Sequence, residues 1–522
     1  MLVVEKARAL ALKLNNPNRV LDSIPTAKPM DVRGTQIVIT PHRLDEVKVL
    51  RNLGIKAPSP ILHYYNWPGQ YTPFDHQRET AAFLTLNHRC LVLNEIGTGK
   101  TQSALWAADY LIKTKKVKKV LILSPLSTLE RVWGDGIFTG LVHRRFVVLH
   151  GTAERRMKLL KTEADFYIIN HDGFNIIKEE CHGMFDLVIV DEAAVLRNPS
   201  TQRFKIFRRW TWDNNPQARL WMMTGTPTPN DPTDAWALAK LVGSPYCTKT
   251  FTAFREQVMM KIGQWKFVPR PESVEIVKHI LQPAVRFTRD ECFDLPETMI
   301  QTRQVELTAD QKKHYTQMLR HFVTEMAAER VTGGTITAVN EAVKIQKLVQ
   351  IACGVAYGDD GQNILLDCSP RINLVKEVIE EAGEKVILFV PLTGTLHMLE
   401  KELSKHWTVG VVNGEVSSTQ RNKIFHDFQH TKDPHVLIAH PGTMAHGLTL
   451  TSASTIIWYG PINSNEIYMQ ANGRIERIGK RNVSNVIHIA ATDLEHKMYE
   501  RLRNKQKLQG LLLDLIQQQT QR

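Results

Sequence analysis

No cysteine in this 522-residue chain has a partner at a recognisable spacing. Cys90, Cys181, Cys247, Cys292, Cys353 and Cys368 are scattered, with no C-x-x-C pair, which argues against both a disulfide framework and a zinc site. No apolar stretch approaches the length of a membrane span. The first residues, Met1-Leu2-Val3-Val4-Glu5-Lys6, lack the charged-then-apolar layout of a secretion signal, so a cytoplasmic protein is expected. Short-period repeats and low-complexity segments are also missing. What remains is ordinary globular material, with 43% hydrophobic and 23% charged residues, but with a formal net charge of +13. Such an excess favours a polyanionic partner, because lysine and arginine contacts to phosphates release condensed counterions.

The length predicts two or three domains. Residues 1–70 read as a small accessory α+β module. Thr35–Thr40 is rich in β-branched residues and stopped by Pro41, and Leu44–Leu53 has helical spacing. From residue 71 the pattern becomes short apolar runs alternating with helices. Cys90–Leu93, Val120–Leu123, Tyr167–Ile169, Leu187–Val190 and Leu220–Met223 form one set of predicted strands. Val386–Val390, Val409–Val412, Val436–Ala439, Thr455–Trp458 and Val486–Ile489 form a second. Continuous apolar runs of this kind suit a parallel sheet covered on both faces. The expected fold is therefore α/β, with two parallel-sheet lobes at 71–285 and 286–522 and a helical insertion at about 308–356, where Gly333-Gly334 offers a turn.

Three segments carry chemistry. Asn94-Glu95-Ile96-Gly97-Thr98-Gly99-Lys100-Thr101 follows a strand and opens a helix. Glycines there let backbone N–H groups close on phosphates at the positive end of a helix, Lys100 can reach the β- and γ-phosphates, and Thr101 can ligate magnesium. Leu187–Val190 ends in Asp191-Glu192; Asp191 suits a magnesium shell and Glu192 suits activation of the attacking water. Finally, Arg474 and Arg477 lie three apart and so share a helix face, from which two guanidinium groups can stabilise charge on a transferring phosphoryl group.

In order along the chain, these and further segments resemble the Swi/Snf-related branch of the superfamily-two helicases. Thr72–Gln77 resembles that family's adenine-reading segment, with Gln77 as the contact. Asn94–Thr101 resembles D-E-M-G-L-G-K-T, with Asn for the leading Asp. Leu123–Ser127 through Trp133 resembles a motif associated with the tracked DNA strand, and Asn170-His171-Asp172 a further first-lobe element. Asp191-Glu192-Ala193-Ala194 with Arg197-Asn198 resembles D-E-A-H…K-N, with Ala194 in place of His. Thr224-Gly225-Thr226-Pro227 with Asn230 matches T-G-T-P-x-x-N. Ala445–Leu450 resembles G-H-G-L-N-L, and Gln470–Lys480 resembles Q-A-x-G-R-x-x-R-x-G-Q.

The resemblance spans about Thr72 to Glu495 and implies two RecA-like lobes using ATP and magnesium. It places ATP against Gln77, Gly97, Thr98, Gly99, Lys100, Thr101 and Gly447, with magnesium on Thr101 and Asp191. Catalysis falls to Lys100, Asp191, Glu192, Arg474 and Arg477, coupling to Thr224, Thr226 and Gln470, and nucleic-acid contact to Ser127, Asn170 and Thr443. The implied activity is that of a DNA-dependent ATPase acting as a monomeric double-stranded DNA translocase. It would act without base-sequence preference on duplex or branched DNA, in branch migration, fork reversal, annealing or protein displacement, with repair or recombination as setting. The motif variants resemble compact bacterial and phage members. A strand-separating helicase and a non-hydrolysing nucleic-acid scaffold are the alternatives. Three further features stay open. Residues 1–70 read as a DNA-gripping or targeting module, or as an extension completing lobe one. Lys113–Lys119 reads as a solvated helix end more readily than as an import signal. The Leu508–Ile516 stripe reads as core packing more readily than as an oligomer seam.

Overall fold

A computed structural model describes residues 1–32, 34–229, 231–262, 267–292, 298–318, 338–357, 363–444, 450–475 and 484–503. The chain divides into two units, Met1–Cys292 and Phe293–Leu508. In chain order the first contains β1 Leu2–Val4, β2 Ala9–Leu12, β3 Lys28–Val32, β4 Thr35–Pro41, β5 Arg89–Val92, β6 Val120–Ser124, β7 Phe146–Val148, β8 Phe166–Asn170, β9 Leu187–Val190, β10 Arg219–Met223, β11 Met259–Lys261, β12 Phe267–Pro269 and β13 Ala284–Val285. The second contains β14 Thr298–Gln304, β15 Val355–Tyr357, β16 Asn363–Leu365, β17 Lys385–Phe389, β18 Val409–Val412, β19 Val436–Ala439, β20 Ala453–Trp458 and β21 Ser484–Ala490.

The first unit is built on a seven-stranded sheet of order β13-β5-β10-β9-β6-β8-β7. Every pairing in it is parallel. Its central strands carry continuous apolar runs, broken only at their ends by Arg89, Ser124, Asn170 and Arg219, because both faces are covered. Leu91, Leu121, Val188, Leu220 and Met222 face one core. Their neighbours Cys90, Val92, Ile122, Ile189 and Trp221 face the other. At its amino end an antiparallel sheet of order β1-β2-β4-β3 packs Leu10, Leu12 and Val38 against Val47 and Leu50 of the helix Leu44–Asn52. This module is pinned to the helices behind it. The Ser59 and Thr85 hydroxyls are 2.8 Å apart, and the Tyr65 phenol donates to Asp109 at 2.7 Å.

The second unit repeats the principle with six parallel strands ordered β14-β21-β20-β17-β19-β18. Val386, Leu388, Val436 and Ile457 line one face. Ile387, Phe389, Leu437 and Trp458 line the other. The ten expected strands of the two sheets are present with ends shifted by a residue or two. The sequence pattern reaches the edge strand β18 but misses the edge strands β7 and β14, whose faces are only partly covered. β7 is half-exposed throughout, and β14 (Thr298-Met-Ile-Gln-Thr-Arg-Gln) alternates exposed and half-buried residues along most of its length. The expected helical insertion is described only in part, by helix at 309–318 and by Ala338–Ala352; Gly333-Gly334 and the Leu508–Ile516 stripe lie outside the described residues. No described helix is long and apolar enough to cross a membrane.

Candidate nucleotide site

In a doubly covered parallel sheet, ligands gather at the carboxyl ends of the strands. The strand order decides which loops meet there. β5, β10 and β9 are neighbours, so the loops that begin with Asn94, Thr224 and Asp191 lie side by side. β6 and β8 follow, bringing the segments that contain Trp133 and His171 next to Asp191. Asn94 and Thr224, 130 positions apart in sequence, thus share one edge.

The loop after β5 turns on two glycines with left-handed backbones, Gly97 at φ +87° and Gly99 at φ +78°. Gly99 is required twice over, since a Cβ there would also sit 2.1 Å from the Gln77 amide nitrogen. The helix Lys100–Lys113 then starts with Lys100 at its first position. The Lys100 ammonium is held by the carbonyls of Asn94 at 2.8 Å and Glu95 at 3.0 Å. Burial lowers its pKa, and Glu192, Asp191 and Glu95 oppose that shift by favouring the charge. Gln77, on the helix Asp75–Leu86, accepts from the Phe74 N–H at 3.1 Å and donates to the Thr98 carbonyl at 3.3 Å. His76 bonds the same carbonyl at 2.9 Å.

Asn94 explains its own departure from the usual pattern. Fully buried, it donates to the Thr80 hydroxyl at 2.9 Å and accepts from the Phe287 N–H at 3.1 Å. An amide side chain supplies a donor and an acceptor at once, which an ionised Asp at this position cannot. Its neighbour Glu95 accepts from the buried Arg286 at 2.9 Å and from the Arg289 N–H at 3.0 Å, which ties the loop to the segment after β13.

At the end of β9 the Asp191 carboxylate accepts from the Trp133 indole at 3.0 Å and from the Glu192 N–H at 3.1 Å. Burial raises its pKa; the Trp133 bond, Lys100 and the Glu192 N–H pull it back. The Asp191 carbonyl accepts from His171 at 2.8 Å, and burial brings that imidazole down to about 4, so the ring is neutral at pH 7. Glu192 has φ +48°, a left-handed backbone that few non-glycine residues adopt, and one that cluster at working sites often show. Trp133 is fully buried and sits in a π-helical turn, Leu129–Gly134, a distortion that also recurs at functional sites. The sequence motif reaches Trp133 without revealing that its indole serves Asp191.

Between the two loops, Gly225 lies against Ile96, where a Cβ would come within 3.2 Å of its side chain. The Thr224 hydroxyl accepts from the Thr226 N–H at 3.1 Å. The Thr226 hydroxyl is buried and has no partner among the described residues.

Other predicted residues fall elsewhere. Thr101 is half-buried on the first turn of its helix, and Ser127 is exposed in the turn Leu126–Thr128. Asn170 gives its amide oxygen to Arg156 at 2.8 Å, and Arg156 in turn bonds the Gly151 carbonyl at 2.9 Å. In the second unit, the Thr443 hydroxyl bonds the His440 carbonyl at 2.7 Å. Gln470 is buried on the helix Asn465–Asn472, and Arg474 is buried just beyond it, its carbonyl accepting from the Leu450 N–H at 3.0 Å. Asn230, Gly447 and Arg477 lie outside the described residues.

A family model described as the SNF2-related domain matches residues 46–354, more than half of the chain. The chain belongs to the SNF2-related family. A helicase conserved C-terminal domain matches residues 370–479. The two parallel-sheet units are that family's RecA-like lobes, and the SNF2-related chain is a DNA-dependent ATPase. Among its relatives is protein p41 of Acyrthosiphon pisum secondary endosymbiont phage 1, 26% identical over 85% of this chain and 99% of that one. Nuclear protein STH1/NPS1 of Saccharomyces cerevisiae is 24% identical over 81% of this chain, which spans only 33% of that protein. An ATP-dependent helicase of Mycoplasma genitalium, MG018, is 24% identical over 80% of this chain and 40% of its own length. A solved SWI2/SNF2 ATPase core of Sulfolobus solfataricus in complex with dsDNA matches 87% of this chain and 94% of its own, at 20% identity and a TM-score of 0.40.

Proposed function

We infer that this SNF2-related ATPase is a translocase on double-stranded DNA, remodelling it by branch migration, fork reversal, annealing or displacement of bound proteins. The observation that carries the reading is the meeting, on the adjacent strands β5, β10 and β9, of the Lys100 loop, the Thr224–Thr226 turn and Asp191-Glu192.

The residues present fit a magnesium nucleotide. Left-handed glycines open a backbone cradle at the start of a 14-residue helix. The Lys100 ammonium rests on two carbonyls that phosphate oxygens can replace. Asp191 is oriented by an indole, which leaves its negative charge for a cation with Thr101. When bound, ATP with magnesium supplies the phosphoryl-transfer energy. The chain's own residues do the rest. Gln77 reads the base, and Gly97, Thr98 and Gly99 shape the phosphate cradle. Glu192 takes the proton from the attacking water. Arg474 and Arg477 stabilise the charge that develops on the transferred group. Thr224, Thr226 and Gln470 couple turnover to movement, while Ser127, Asn170 and Thr443 hold the DNA backbone.

The test is ATP hydrolysis at one fixed salt concentration with no nucleic acid, single-stranded DNA, duplex DNA, branched DNA or RNA. Strongest stimulation by duplex or branched DNA is expected. Stimulation mainly by single strands or RNA would replace the reading with a strand-separating or RNA-directed motor.

A further inference from the structure

One basic surface of the first unit lies outside the nucleotide edge. A cleft of about 1090 Å³ opens between the amino-terminal sheet and the far end of the helix Lys100–Lys113. Its lining carries six cations from four segments: Lys6 and Arg8 from the β1–β2 connection, Lys28 from β3, Arg43 before the helix Leu44–Asn52, and Lys113 and Lys116 at the end of the helix that begins with Lys100. All six residues are exposed. The one carboxylate in the lining, Asp45, is already neutralised by Lys116 at 2.6 Å. The nearby Glu5 faces His63 at 3.1 Å. Among the described residues, Lys6, Arg8, Lys28, Arg43 and Lys113 make no ion pair.

The wall of this cleft is fixed. Arg8 has a left-handed backbone at φ +47°, and its guanidinium lies 5.3 Å from the centre of the Tyr64 ring. The Tyr64 phenol bonds His42 at 3.0 Å, and the other nitrogen of that ring bonds the Pro58 carbonyl at 2.9 Å. Both imidazole nitrogens are thus engaged, and burial lowers the His42 pKa. The lysine-rich stretch 113–119 also gains a meaning here. The helix ends at Lys113, and two of the lysines of this stretch line the cleft.

We propose that this cleft is a second, sequence-independent binding site for the sugar-phosphate backbone of DNA, carried on the first lobe. Five unpaired cations spread around an open groove match a polyanion with a charge on every nucleotide better than a single carboxylate or free phosphate. Placement adds to the argument. Lys100 and Lys113 bound one helix of 14 residues, about 20 Å long at 1.5 Å per residue. A backbone held at the cleft therefore moves rigidly with the phosphate loop, and gives the first lobe a grip that persists through nucleotide exchange. The inference rests on the reading of DNA as the substrate.

The test compares the full chain with its Lys28→Ala/Arg43→Ala/Lys113→Ala variant, using fluorescence anisotropy on a labelled duplex without nucleotide, across a salt series. With three phosphate contacts removed, the slope of log affinity against log salt falls by roughly 2 to 3. The duplex concentration for half-maximal ATPase stimulation rises tenfold or more, while kcat at saturating duplex stays within twofold. The three side chains are exposed, and an unchanged thermal midpoint verifies the fold. Overlapping binding curves for the two proteins at every salt would overturn the proposal. So would a variant that keeps duplex affinity but loses poly-glutamate, which would make the cleft an acidic-peptide site. If duplex does not stimulate the wild-type ATPase, the proposed function fails, while the binding comparison still decides the cleft.

Discussion

The two parallel sheets spend their buried charges differently. In the first unit the charged and polar groups converge on one working edge. Lys100 lies on carbonyls, Asp191 is clasped by Trp133 and the Glu192 N–H, and Asn94 is bonded on both sides. In the second unit a prominent buried pair joins two residues that carry no predicted site role. Arg371 donates to Glu495 at 2.7 Å and also bonds the Tyr459 carbonyl, and its guanidinium lies 5.4 Å from the centre of the Tyr459 ring. Glu495 accepts from the Ala491 and Thr492 N–H groups at 2.8 and 3.1 Å. The same kind of interaction thus orients a carboxylate at a loop edge in one sheet and closes a core in the other. Substitutions should separate chemistry from stability accordingly.

The largest effects are expected at the first edge. Glu192→Gln removes the proposed base and Lys100→Ala the phosphate-facing cation, and each should lower ATP turnover by about 10²- to 10⁴-fold in a phosphate-release assay. Folding should be retained, because neither side chain is a core member. Turnover within threefold of wild type in Glu192→Gln would move the base elsewhere.

In the second sheet the order reverses. Glu495→Ala leaves the Arg371 charge buried without its partner and should destabilise that unit by about 3–5 kcal/mol, read by urea unfolding. Glu495 holds the Arg371 pKa up despite burial, so the guanidinium has no easy neutral state to escape into. Replacing both by apolar residues, Arg371→Met with Glu495→Leu, should recover most of the loss. If it does not, the pair does more than satisfy itself.

Trp133→Phe tests the junction of fold and chemistry. It keeps an aromatic ring but removes the donor and part of the indole, at a cost of about 1.5–3 kcal/mol for a hydrogen bond to a charged group, with a cavity cost added. The sign of the pH effect follows from Asp191. Its pKa is raised by burial, and the Trp133 bond lowers it, so losing the bond raises it further. The acid limb of the kcat/KM profile should therefore move to higher pH, with a higher magnesium requirement. An unmoved limb would mean that Trp133 only packs.

Much of this was legible in the sequence because buried parallel strands leave continuous apolar runs and because glycine loops and paired carboxylates follow them directly. Leu187–Val190 and Asp191-Glu192 are the plainest example. The edge strand β14 was missed because Thr, Gln and Arg interrupt its apolar residues. The Trp133–Asp191 and Arg371–Glu495 bonds were invisible because they join residues 58 and 124 positions apart, and only the strand order and the packing of helices bring them together. The basic cleft was hidden for the same reason: its lysines and arginines come from segments of no common motif.

The smallest effect on stability is expected at the residues assigned to coupling, and it sharpens the contrast most. Thr226 in the first unit and Gln470 in the second each carry a buried side-chain oxygen with no partner among the described residues. A buried, unsatisfied oxygen costs stability, and its retention in a native fold asks for a working reason. Thr226→Val keeps the shape and removes the unpaired group, so the first unit should be unchanged or stabilised by up to about 1 kcal/mol. If the hydroxyl serves coupling, DNA-stimulated turnover should fall by about tenfold or more while ATP affinity is kept. A stabilised variant with undiminished turnover would show that the oxygen is merely tolerated, and would leave Gln470 as the residue to test next.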